Sequence, residues 1–112
     1  MESADDLRLV LTTWPADRPA DEMASALVGD GLAACVSVLA PMTSYYRWDG
    51  ALEQAEERQV LIKTTAARLP ALEARLRALH PYELPELLVL DAAASTTYGA
   101  WVAAAVAPRA SR

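Results

Sequence analysis

Residues 43–50 read TSYYRWDG, and the run that follows closes with QVLIKTT at residues 59–65; this stretch decides the fold of the 112-residue chain. Asp49-Gly50 is its strongest turn signal, because a two-residue type I′ hairpin needs positive φ at both central positions. The predicted arms, residues 43–48 and 51–59, reach roughly 20–30 Å at ~3.3 Å per residue. That overshoots the sheet of a small domain. Successive strand residues point to opposite faces, so Tyr45 and Tyr46 place aromatic area on both sides of the arm, and Trp48 adds more near the tip. A solitary two-stranded ribbon is marginal in water. Leaving its aromatic surface wet costs about 25 cal/mol per Å². The sequence therefore predicts that a second copy of the chain packs on the arm, through Tyr45, Tyr46 and Trp48, with strand addition satisfying exposed edges; the alternative is a hairpin folded back over its own sheet.

The flanking elements follow from periodicity. Residues 7–13 (LRLVLTT) predict a strand. Pro15 ends it, and Asp17 is a fair N-cap for a helix over residues 18–29, where Met23, Ala24, Leu27 and Val28 recur at helical spacing. Gly29-Asp30-Gly31 stops that helix. A second strand covers residues 32–39, with Pro41 marking a bulge or an edge. The return strand runs over residues 51–65. Leu69, Leu72, Leu76 and Leu79 form the stripe of a second helix over 67–79. His80-Pro81-Tyr82-Glu83-Leu84-Pro85 is a connector stiffened by two prolines. A buried strand over 86–90 and a third helix capped by Ser95, with Tyr98, Trp101, Val102, Ala105 and Val106 on one face, complete the order.

The resulting β-α-β-β-α-β-α order is an α+β, ferredoxin-like split β-α-β pattern with a long central hairpin and an antiparallel sheet. Right-handed crossovers place both main helices on one sheet face. The opposite face is left for a partner. Residues 1–6 read as a disordered lead-in, 7–107 as a single domain and 108–112 as a tail.

Composition narrows the function. Apolar residues make up 54% of the chain, too many for a disordered protein. The net charge of −5, with ten scattered basic residues, is the wrong balance for nucleic acid and favours cations. One cysteine, Cys35, allows no intrachain disulfide, in keeping with a reducing compartment. The acidic start Met1-Glu2-Ser3-Ala4-Asp5-Asp6 is not that of a secretory signal. No apolar run reaches the ~20 residues that cross a bilayer. The expectation is a cytoplasmic protein that binds neither nucleic acid nor membrane.

Catalytic motifs are missing. The four glycines fit neither a P-loop nor a dinucleotide fingerprint. With one histidine and one cysteine, a closed zinc site within one chain is excluded. The expectation is a protein that is not an enzyme and carries no organic cofactor. His80 and Glu83 flank a rigid turn, and imidazole with carboxylate suits Cu(II), Zn(II) or Ni(II). The alternative is that His80 interacts with the last carbonyls of its helix. Cys35, inside a strand, is either a small hydrophobe or a thiolate ligand. Lys63 interrupts the apolar run Val60-Leu61-Ile62. It must snorkel or pair with a carboxylate, for which Glu86 is the candidate. Glu53, Glu56 and Glu57 read as a solvated face of the hairpin.

At GLAACVSV, TSYYRWDG, VLIKTT and HPYELPELLVL the chain resembles the CutA divalent-cation tolerance family. The resemblance implies a ferredoxin-like fold and assembly as a homotrimer through the hairpins. It also implies a role in response to metal ions, with copper or another divalent cation bound weakly. The family's cysteine and histidine are matched by Cys35 and His80. Further soft ligands of some members fall on Thr12, Arg75 and Leu79, so the ligand set here is reduced. Trp48, Lys63, Tyr82 and Glu86 are the residues carried over to a cleft between subunits, which by fold analogy suggests small-ligand sensing or signalling as an alternative role, with a structural scaffold as another.

Overall fold

The computed structural model describes residues 6–108. Eight elements follow in chain order: β1 (Leu7–Pro15), α1 (Asp21–Gly29), β2 (Cys35–Trp48), β3 (Ala51–Thr65), a 3₁₀ turn (Ala66–Arg68), α2 (Leu69–Leu79), β4 (Leu88–Asp91) and α3 (Thr96–Ala105). The four strands form one sheet in the order β2-β3-β1-β4, and every neighbouring pair is antiparallel. This is the α+β, split β-α-β arrangement that the sequence predicts. Residues 1–5 of the expected lead-in and 109–112 of the expected tail lie outside the described residues. The carbonyl of Asp6 accepts a hydrogen bond from the Ala66 N–H at 2.7 Å.

One sheet face is sealed by α1 and α2. Val10, Trp14, Val60 and Ile62 from the strands meet Met23 and Leu27 of α1 and Leu72 and Leu76 of α2, all buried. The other face is covered at one end only. There α3 lays Val102 and Val106 over Leu7 and Ala34. Ser95 caps α3, its hydroxyl accepting the Tyr98 N–H at 3.2 Å.

Several boundaries differ from the sequence expectation. β1 continues through Trp14 and Pro15, because Pro15 sits at the strand's end, where the ladder with β3 stops at Glu57. α1 begins at Asp21 behind Ala20, and no side chain caps it, so Asp17 belongs to the preceding turn. β2 starts at Cys35, since residues 32–34 turn off the helix, with Leu32 and Ala33 both donating to the Leu27 carbonyl. β4 begins two residues later than expected, and its residues are exposed rather than buried, because it is an edge strand that no helix covers. On α3 only Gly99 and Val102 are buried; Tyr98 and Trp101 point outward, stacked on each other at 5.7 Å.

The hairpin turns at Asp49 and Gly50, with φ of 50° and 76°, the positive pair that a type I′ turn demands. β1 covers β3 only as far as Glu57, so the ribbon from Thr43↔Glu56 to Trp48↔Ala51 stands clear of the sheet. The ladder slips by one residue between Val38 and Pro41. This is the bulge that Pro41 predicts, and it reverses the parity of β2. Below it, Val36 and Val38 share the helix-covered face with Ile62 and Val60; above it, Met42 and Tyr46 share the face of Glu57 and Glu53.

Candidate functional site

The end of the second sheet face that α3 leaves open is a cleft of about 710 Å³. Its floor is Thr13 of β1 with Glu57 and Gln59 of β3. The connector supplies Pro81, Tyr82, Glu83, Leu84 and Glu86, and the arm contributes Met42, Ser44, Tyr46, Arg47 and Trp48. The bulge is what brings Tyr46 and Trp48 here. An unbulged β2 would turn Tyr45 to this face instead.

The connector is held down by its own polar groups. His80 is buried, and its Nε2–H donates to the Thr13 carbonyl at 2.7 Å. Its Nδ1 accepts the Tyr82 N–H at 3.0 Å. Its ring packs edge-on against Trp14 at 4.8 Å. Accepting a backbone N–H at Nδ1 requires the neutral imidazole. Burial lowers the His80 pKa, outweighing the hydrogen bond to Thr13 and the nearby Glu57, both of which raise it. The Tyr82 hydroxyl donates to Glu57 Oε2 at 2.7 Å. Burial first, and then Glu57, push the phenol pKa well above its ordinary value. Gln59 bridges the remaining wall, its amide nitrogen donating to the Thr12 carbonyl and to Glu86 Oε2, each at 2.8 Å.

Of the residues singled out from sequence, Trp48, Tyr82, Glu83 and Glu86 meet at the cleft. Lys63 does not. It lies on the same sheet face nearer α3, with its Nζ 5.8 Å from the centre of the Tyr98 ring. The expected Lys63–Glu86 pair is therefore replaced by two others, Lys63 over Tyr98 and Glu86 with Gln59. Glu57 corrects a second expectation. It is 7% exposed, not part of a solvated face, because Tyr82 folds over it; Glu53 and Glu56 do face water. His80 uses its ring on β1 rather than on the carbonyls of α2. Cys35 sits on β2 opposite Lys63, 3.8 Å from the Ser37 hydroxyl. Among the described residues no three His, Cys, Asp or Glu side chains gather as a metal site. Both nitrogens of His80 are engaged, one with the Thr13 carbonyl and one with the Tyr82 N–H.

Thr13 and Gln59 carry no local signal that marks them as site residues. Their role arises from the register Thr13↔Gln59, which no local pattern encodes.

The family described as CutA1 divalent ion tolerance protein matches residues 8–105. The chain belongs to this family. The Divalent-cation tolerance protein CutA of Thermus thermophilus is 44% identical over 85 residues, which cover 76% of this chain and 82% of that protein. The solved structure of CutA from Synechococcus elongatus superposes with a TM-score of 0.86 at 45% identity, covering 96% of this chain and 95% of that one. A CutA of Archaeoglobus fulgidus described as periplasmic has a TM-score of 0.84 at 25% identity, covering 89% of this chain and 98% of that one. No helix among the described residues of the present CutA family member is long and apolar enough to cross a membrane.

Proposed function

We propose that this CutA family member acts in divalent-cation tolerance as a cytoplasmic homotrimer that binds cations weakly in the cleft beneath its hairpin, without catalysing a reaction. One observation carries the cation reading. Glu57 is a buried carboxylate facing the cleft, and its partner is the neutral hydroxyl of Tyr82. Among the described residues, none of the ion pairs includes Glu57, Glu83 or Glu86. A buried charge calls for a compensating one. Among the described residues, the only basic side chain on the cleft wall is Arg47, whose guanidinium reaches toward the Gly50 carbonyl at the hairpin tip. Carboxylate oxygens suit hard divalent ions, held weakly when few ligands converge. In this reading His80 fixes the wall and does not ligate.

Self-association has its own support in the exposure of Tyr45 (69%), Leu52 (74%) and Trp48 (50%) on the free ribbon and of Leu88, Val89 and Leu90 on the edge strand β4. The number three comes from the family resemblance. Isothermal titration with Cu(II), Zn(II) and Mn(II) tests the site: heat is expected from the wild type and is lost in Glu57→Gln. No heat at millimolar metal, or equal heat in the variant, overturns it. Sedimentation at micromolar concentration tests the assembly, and a folded single-chain species overturns that part.

A further inference from the structure

The cleft is far larger than a metal ion needs. Its volume of about 710 Å³ lies in the range of sites that enclose small organic molecules. Its chemistry is also mixed in a particular way. The acids Glu57, Glu83 and Glu86 share the wall with the rings of Tyr46, Trp48 and Tyr82. Aromatic faces attract cations through their quadrupole, most strongly at Trp, and do so best where water is thinned out. A bare hydrated metal ion gains little from such walls; an alkyl ammonium gains from both the rings and the acids. From this we infer that the cleft selects an organic cation bearing primary amines. The inference rests on the cation-site reading above and names the class of cation.

The disposition of the acids points to two amines. Glu57 lies two residues from Gln59 on the same face of β3, Glu86 meets the Gln59 amide, and each acid is held by one neutral donor, Tyr82 Oη–H for Glu57 and the Gln59 amide for Glu86. Each carboxylate offers about four acceptor positions, so most remain open in both. An ammonium group brings three N–H donors to such oxygens. Two separated anionic points therefore match the two ends of a short diamine, with its methylene chain against the rings. Quaternary ammonium, which has no N–H, would meet the rings and the charge of the acids without hydrogen-bonding to them. An anion would meet three carboxylates and, among the described residues of the wall, only Arg47 to receive it.

Calorimetric titration of the full, assembled protein with putrescine tests the inference, alongside tetramethylammonium, glutarate and Mn(II). Saturable putrescine binding is expected, weaker by about tenfold or more in Glu57→Gln and in Glu86→Gln, as for loss of a charge-assisted hydrogen bond. Both variants keep an oxygen to accept from Tyr82 or Gln59, and sedimentation with circular dichroism confirms their fold. If Glu57→Gln does not fold, Glu86→Gln decides alone. Glutarate should give no heat, and tetramethylammonium should bind more weakly than putrescine. Putrescine binding that survives both substitutions, or that glutarate or tetramethylammonium equals, overturns the inference. Metal heat that depends on Glu57, with no putrescine heat, overturns it while leaving the cation site standing. Silence from both ligands removes the site as well.

Discussion

The two faces of the sheet are built by opposite rules. On one, Val10, Val60 and Ile62 disappear completely beneath Leu27, Leu72 and Leu76. On the other, α3 covers the Leu7 end, and the remainder runs into an acidic, ring-lined cleft and a bare ribbon. The first face is closed by two helices that carry their own apolar stripes. Beyond the reach of α3, the second is held by single polar side chains: His80 reaching Thr13, Tyr82 reaching Glu57, Gln59 reaching Glu86. Stability is thus concentrated on one side of the sheet, and adaptable surface on the other.

That division can be broken experimentally. The largest effect should come from the ribbon. Combining Leu52→Glu with Tyr45→Ser should disperse the assembly to single chains in sedimentation while far-UV circular dichroism stays native. An unchanged particle mass would mean that the ribbon is not what joins the copies. On the sealed face, Leu72→Ala should cost about 2–5 kcal/mol in denaturant unfolding, with cavity formation as the cause. Little change there would refute the concentration of stability under the helices. In the cleft wall, Tyr82→Phe leaves Glu57 buried without its donor and should cost about 1–3 kcal/mol. A neutral result would mean that water replaces the phenol at no penalty.

The smallest effect is a pH dependence that sharpens the contrast. The folded-state pKa of His80 lies below its ordinary value of 6.5. The unfolded chain therefore takes up the proton first as pH falls through about 6.5, and stability drops from there down to the folded pKa. The contribution is complete above that window. Protonation also removes the Nδ1 acceptor for the Tyr82 N–H, so the connector loosens in the same direction. His80→Gln should flatten the stability profile between neutral and mildly acidic pH. A profile identical to wild type would show that another group titrates there.

The fold was legible wherever one element carries its own signal. The Leu69–Leu79 stripe, the Asp49-Gly50 turn, the Ser95 cap and the Pro41 irregularity all act over a few residues, and each is found in place. What was not legible depends on distant pairings. Glu57 reads as one of three hairpin acids until Tyr82, 25 residues on, covers it. Lys63 has two plausible neighbours, a carboxylate and an aromatic ring, and only the packing of α3 puts Tyr98 within its reach. The bulge could be placed from Pro41, but its outcome, that Tyr46 rather than Tyr45 faces the cleft, requires the register of both strands. Of the cleft residues expected, Trp48, Tyr82 and Glu86 share the wall because the rigid connector and the ribbon approach each other, not because any motif joins them.

The cleft draws its walls from β1, both hairpin strands and the connector to β4, segments that span residues 13–86. No short fragment of the chain holds all of these walls, so the cleft forms only once β1, the hairpin and the connector have come together. Any occupant is consequently a thermodynamic brace for the entire molecule, adding about 2.7 kcal/mol at a free concentration one hundred times its Kd. Melting temperature then serves as a gauge of what fills the space.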